Sequence, residues 1–248
     1  MKIPFYQTTW NDISLVNLAG DLGHSLEALP DAKFYAAYYE KLSSSQISEK
    51  WKTSKKYQTQ WLKEQIEKYG GIQAKILSVG AGTGIIEISL IKAGYDIHLQ
   101  EYQEYSLKIL GANNLTTCHT KDLKEINDVK YDIIVVIAMT YALSDKELKS
   151  FFNTCSTLLS ENGKLIILDT SLSWWEIYAY FRNKSHYKKT HLLWGAKRGI
   201  CSFKGMANGL KFLSHWYYSN HMKKLNVKKF MGVPFNLTPH WQMMVFQK

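Results

Sequence analysis

A chain of 248 residues, 46% of them hydrophobic, is long enough for one sizeable α/β core with an added cap or insertion. It contains no apolar run of membrane-spanning length and no signal-peptide pattern over Met1–Gly20, so the expectation is a cytoplasmic protein without a membrane span. Cys118, Cys155 and Cys201 are far apart, and no Cys, His or carboxylate cluster has zinc, disulfide or divalent-metal spacing, so no metal is expected.

The net charge of +10 is concentrated in one region: Ile177–Lys248 holds thirteen Lys or Arg, no Asp or Glu, and five of the eight histidines. Such a field suits an anionic partner, whether a phosphorylated small molecule, nucleic acid or a lipid surface. A solvated basic surface accounts for it equally well.

In chain order, residues 1–30 show no clean period and read as an irregular lead. Tyr35, Tyr38, Tyr39 and Leu42 fall at i, i+3, i+4 and i+7, one face of a helix over Phe34–Leu42. After Ser43–Ser45 a second helix is predicted from Ser48 to Tyr69, with Leu62, Ile66 and Tyr69 on one face, ended by Gly70-Gly71. Ile76 to Gly84 then reads Ile-Leu-Ser-Val-Gly-Ala-Gly-Thr-Gly, a buried strand running into a glycine turn, with helix-like spacing over Ile85–Ala93. Glycines let a ligand lie against the backbone, and the N–H groups opening the helix would face it. A dinucleotide turn reads G-x-G-x-x-G, but here position 85 is Ile and the pattern is G-x-G-x-G. The turn alone also fits an NAD or FAD site, or a plain strand–helix connection.

A strand at Asp96–Gln100 ends on Glu101, seventeen residues beyond Gly84, where a βαβ unit delivers its second strand tip. Two carboxylate oxygens there match the two hydroxyls of a ribose. A third strand is predicted near Leu115–His119, followed by Asp122 and Leu123. The strongest strand is Tyr131–Met139. Ser144 to Glu147 forms a capping box for a helix burying Leu148, Phe151, Phe152, Cys155 and Leu158, and Asn162-Gly163 leads to a strand over Lys164–Asp169. Beyond it, Ser171 to Gly205 reads as an insertion rich in Trp, Tyr, Arg, Lys and His. A helix over Met206–Leu225 and strands near Val227–Met231 and Trp241–Gln247 close the chain.

Over Tyr57–Thr170 the order and spacing of these segments resemble the class I S-adenosylmethionine-dependent methyltransferases. The resemblance implies a Rossmann-like, seven-stranded, mostly parallel sheet with an antiparallel last strand. A helical N-terminal cap segment (1–70) would precede the methyltransferase domain (71–248), with 171–205 as a substrate cap inserted after strand five. It implies S-adenosylmethionine as cofactor and S-adenosylhomocysteine as product. The implied cofactor contacts are Gly80, Ala81, Gly82, Gly84, Glu101, Tyr102, Asp122, Leu123 and Ala138, with Glu101 on the ribose and Asp122 and Leu123 on the adenine. The family's usual acid two residues before the first glycine is replaced by Ser78.

Residues 138–141 read Ala-Met-Thr-Tyr and not Asp/Asn-Pro-Pro-Tyr/Phe, which argues against methylation of an adenine amino group. No cysteine arrangement suits cytosine C5 chemistry. The expected reaction is in-line methyl transfer to oxygen or nitrogen, resting on positioning, with a base needed only for a protonated acceptor. His191 is the first candidate base and Tyr39 the second; Tyr35, Arg182, Lys188, Trp194 and Arg198 are candidate substrate contacts. The leading expectation is a small anionic acceptor: a phosphorylated metabolite, a phosphoramidate or a nucleotide-linked glycan precursor. The alternatives are an RNA methyltransferase using the basic tail and a non-catalytic binding protein on the same scaffold.

Overall fold

The computed structural model describes residues 9–24, 31–44, 47–111, 114–115, 118–119, 122–127, 129–140, 143, 145–170, 211–212 and 241–248. The insertion over 171–205 and the strand expected near Val227–Met231 lie outside them.

The lead is not irregular throughout. Strands β1 (Thr9–Trp10) and β2 (Ile13–Ser14) form a hairpin. Asn11 and Asp12 both take positive φ, 48° and 61°, the backbone that a two-residue hairpin loop requires and that Asn and Asp tolerate. Ser14 then caps helix α1 (Leu15–Asp21) by accepting from the Asn17 N–H at 3.2 Å. Helix α2 (Ala32–Ser43) is capped by Asp31, which accepts from the Phe34 N–H at 2.8 Å. It buries Phe34, Tyr38, Tyr39 and Leu42 against Ile13, Leu15, Leu18 and Ala19, a small core of its own.

Helix α3 (Glu49–Tyr69), capped by Ser48, leads to β3 (Ile76–Val79), the short helix α4 (Ile88–Lys92) and β4 (Ile97–Gln100). Helix α5 (Glu104–Lys108), β5 (Cys118–His119) and β6 (Tyr131–Ile137) follow. Next come helix α6 (Asp145–Leu158), β7 (Leu159–Thr170), β8 (Lys211–Phe212) and β9 (Trp241–Gln247). The helix predicted over 206–225 is thus contradicted at Lys211–Phe212, which pairs with β9 as an edge strand.

The seven strands lie in the order β5-β4-β3-β6-β7-β9-β8. All pairs from β5 to β7 are parallel; β9 is antiparallel to both neighbours. This is the predicted mostly parallel sheet with an antiparallel last strand. The central strand is β6, whose residues are buried from Ile133 to Val136.

Side-chain alternation divides the core cleanly. Ile76, Ile97, Ile133, Val135, Ile166 and Val245 face one side, against Leu62 and Ile66 of α3 and Leu90 of α4. Leu77, Val79, Ile134, Val136, Leu165, Ile167 and Phe246 face the other, against Leu148, Phe152 and Cys155 of α6. Inside β7 the register against β6 shifts between the Leu159–Tyr131 and Lys164–Ile133 pairs, and there a Cβ on Gly163 would fall 2.9 Å from the Ser160 carbonyl oxygen and 3.0 Å from that of Tyr131. The strand can bulge this closely over its own backbone and that of β6 because residue 163 has no side chain.

Candidate active site

A cavity of about 700 Å³ opens at the carboxyl ends of β3, β4 and β6, between the strand tips and helices α2, α3 and α6. That is the end of an open α/β sheet where ligands sit, and the volume suits a ligand of nucleoside size or larger.

The glycine turn forms its floor. Gly80, Gly82 and Gly84 take φ of 67°, 59° and 71°, left-handed conformations that only glycine adopts freely. The turn is strapped to the next strand: the Gly80 and Ala81 N–H groups donate to the Gln100 carbonyl at 2.8 and 3.1 Å. The positions that a Cβ would take on the first two glycines are occupied by protein side chains. A Cβ on Gly80 would lie 2.7 Å from Met139 Cγ, and one on Gly82 2.9 Å from the Tyr39 hydroxyl. Gly80, Ala81 and Gly82 line the cavity. Gly84 is absent from its wall; its N–H donates to the Ala81 carbonyl, and its own carbonyl accepts from Glu87 and Ile88. The helix predicted from Ile85 begins only at Ile88, so residues 85–87 continue the turn.

Glu101, at the tip of β4, is buried, and two backbone N–H groups hold its carboxylate. Oε2 accepts from Gly82 at 2.7 Å and Oε1 from Gln103 at 2.9 Å. Burial pushes its pKa up, while the backbone donors pull the other way. Each oxygen keeps acceptor capacity toward the cavity it lines. Beyond β5, Asp122 caps a 3₁₀ turn by accepting from the Lys124 N–H at 2.9 Å, and Leu123 behind it is buried. Tyr102, 65% exposed, stands at the rim. Ala138 leaves β6 with φ of 55°, rare for a residue with a Cβ, and donates its N–H to the Leu168 carbonyl at 2.8 Å. The cavity thus brings together eight of the nine predicted cofactor residues.

Helix α2 covers this floor. Tyr35 and Tyr39 line the cavity, and the Ala32 carbonyl accepts from Gln103 Nε2 at 3.1 Å. His191, Arg182, Lys188, Trp194 and Arg198 lie outside the described residues.

Several wall residues were not anticipated: Trp51 and Lys55 of α3, Glu87, Met139, and Glu147, Ser150 and Thr154 of α6. The Ser78 hydroxyl donates to Glu87 Oε1 at 2.7 Å, with both residues buried. Burial raises the Glu87 pKa, partly offset by the Ser78 hydrogen bond. Lys55 Nζ donates to Gln58 Oε1 at 2.8 Å and lies 5.3 Å from the Trp51 ring centroid. Burial brings its pKa down to about 8 against the attraction of Glu87. Periodicity alone puts Lys55 on the solvated side of a helix and Glu87 in a first helical turn. The signal pointing inward was Ser78, a serine where a charge was expected.

No protein-family model matches the chain, and no curated protein matches it in sequence. Solved structures match it in fold. The N-methyltransferase NodS from Bradyrhizobium japonicum, in complex with S-adenosylhomocysteine, aligns with a TM-score of 0.54 at 12% identity, over 86% of this chain and 98% of that one. Magnesium protoporphyrin IX methyltransferase from Synechocystis PCC 6803, with bound S-adenosylmethionine, gives a TM-score of 0.52 at 13% identity, over 97% of this chain and 100% of that one. The chain has the Rossmann-like fold of these methyltransferases.

Proposed function

We propose that the protein is an S-adenosylmethionine-dependent methyltransferase acting on an oxygen or nitrogen of a small anionic acceptor. The observation that carries the reading is the Glu101 carboxylate, fixed by the Gly82 and Gln103 N–H groups at the floor of a nucleoside-sized cavity. A buried carboxylate held so firmly, with acceptor capacity left over, suits a vicinal diol. The similar folds of two methyltransferases crystallised with S-adenosylmethionine or S-adenosylhomocysteine support the same ligand.

In this reading Glu101 holds the ribose, Asp122 and the Leu123 N–H hold the adenine edge, and Ala81 and Gly82 pass close beneath. Bound there, S-adenosylmethionine supplies an activated methyl group on sulfonium. The chain's own contribution is alignment and exclusion of water: α2 lays Tyr35 and Tyr39 across the floor, and α6 adds Ser150 and Thr154 on the far side. Where the acceptor arrives protonated, Tyr39 or His191 is the candidate to take the proton. The anionic acceptor rests on the thirteen basic and no acidic residues of 177–248. Arg182, Lys188 and Arg198 are the candidate phosphate contacts, arginine offering paired hydrogen bonds, and Trp194 a candidate stacking surface. Residues 1–70 would serve as the cap and 171–205 as the substrate lid.

Calorimetry with S-adenosylhomocysteine and with NAD tests the cofactor: preference for NAD overturns the assignment. Labelled S-adenosylmethionine, incubated with the protein and with separated metabolite and RNA fractions, tests the acceptor. Label in the metabolite fraction, lost in Arg198→Ala and Arg182→Ala at unchanged cofactor affinity, supports the small anionic acceptor. Label in RNA, with binding that falls steeply with salt, transfers the basic tail to the nucleic-acid reading.

A further inference from the structure

One carboxylate oxygen among the residues of the cavity wall has no hydrogen-bond partner among the described residues. Glu87 is 2% exposed. Its Oε1 takes the Ser78 hydroxyl at 2.7 Å, while Oε2 is buried with no hydrogen-bond partner among the described residues. A buried carboxylate oxygen left unbonded is costly, and native proteins keep such a group where something else completes it. A carboxylate can only accept, so its complement is a donor, best a cationic one. In the same wall stands Lys55, attracted to Glu87 through space but in direct contact with no carboxylate among the described residues. A lone cation in the cavity would face Lys55 uncompensated, and a lone anion would face Glu87. A group carrying an ammonium and a carboxylate side by side satisfies both.

The placement across the sheet gives this pair its ligand. Strands β5, β4 and β3 are consecutive neighbours, and their tips present Asp122, then Glu101, then Ser78 with Glu87. A ligand lying along that line offers its base to the first, its sugar to the second and its far end to the third. We propose that Glu87 and Lys55 form the receptor for the α-amino-acid end of the cofactor, with the buried Glu87 carboxylate as the counter-charge to its ammonium and Lys55 facing its carboxylate. The inference rests on the reading of the cavity as an S-adenosylmethionine site. It restores, from nine residues further along the chain, the charge that serine at position 78 leaves out, with the Ser78 hydroxyl fixing the carboxylate in place.

The test is calorimetry on the full chain with three ligands. S-adenosylhomocysteine carries both charged groups, its decarboxylated analogue only the ammonium, and 5′-methylthioadenosine neither. Glu87→Gln keeps the shape and a hydrogen bond to Ser78. It should bind the first two ligands at least about tenfold more weakly and methylthioadenosine unchanged, which also shows that the variant folds. Lys55→Met should lose affinity for S-adenosylhomocysteine alone. Equal S-adenosylhomocysteine affinity in Glu87→Gln and the natural protein overturns the inference, as does a parallel loss for all three ligands. If the natural protein binds methylthioadenosine as tightly as S-adenosylhomocysteine, the inference fails while the cofactor reading stands. If it binds none of the three, both fail.

Discussion

The Tyr39 hydroxyl stands 2.9 Å from the point that a Cβ on Gly82 would occupy, so α2 rests directly on the glycine turn. Gly82→Ala meets two penalties: the contact with a buried aromatic side chain that has little room to move, and φ of 59°. The left-handed backbone alone costs an L-residue about 1–2 kcal/mol. Tyr39→Phe removes the oxygen and leaves the ring carbon 3.9 Å away, an ordinary contact. Urea unfolding of both single variants and the double variant should show Gly82→Ala less destabilising when combined with Tyr39→Phe than alone. Strict additivity would mean that the hydroxyl does not limit residue 82.

Glu101→Ala should weaken S-adenosylhomocysteine binding by about 1–3 kcal/mol, the usual loss of hydrogen bonds to a charged group. Unaltered affinity in calorimetry would remove Glu101 as the ribose anchor.

Lys55 gives the stability a definite pH dependence. Its pKa is about 8 in the fold and near the usual 10.5 in the unfolded chain. Between those values the unfolded chain binds more protons. The stability contributed by Lys55 therefore grows as pH rises through this window and is lost as pH falls through about 8. Denaturation curves of the natural protein and Lys55→Met, taken across the window, should show the natural protein gaining on the variant toward high pH. A constant difference would mean that the ammonium is not desolvated.

Phe152 joins α6 to the sheet. It is fully buried, with its ring edge-on to Phe246 of β9 at 5.1 Å between centroids. Phe152→Ala should cost about 3–5 kcal/mol in urea unfolding. A loss under about 1 kcal/mol would mean that the neighbours collapse into the space.

Strands β3, β4 and β6, the register of Glu101 after the glycine turn, and the buried face of α6 were all legible, because each rests on a local period or a fixed spacing. The tyrosine face of α2 was legible for the same reason. What stayed hidden depends on distant parts of the chain. The hairpin at Trp10–Ile13 had a local signal, the Asn11-Asp12 pair, but strands of two residues have no period to detect. Strand β8 is a strand only because β9 lies beside it. Glu87 looks like an ordinary helix-start acid until β3 brings Ser78 to it. Met139, which requires glycine at position 80, reaches the turn only through the pairing of β3 with β6.

The position of β9 has a consequence for biosynthesis. It lies between β7 and β8, antiparallel to both, yet about 70 residues separate Thr170 from Trp241. At ribosomal speeds of about 5–20 residues per second, roughly 4–14 s pass between completion of β7 and the start of its partner. Throughout that interval the nascent chain carries a long apolar strand, Leu165 to Leu168 at its centre, with one edge open to any other extended polypeptide. Yield in a heterologous host should therefore depend on translation rate and chaperone supply more than the finished fold would suggest, and chains released before residue 241 should be recovered as aggregate.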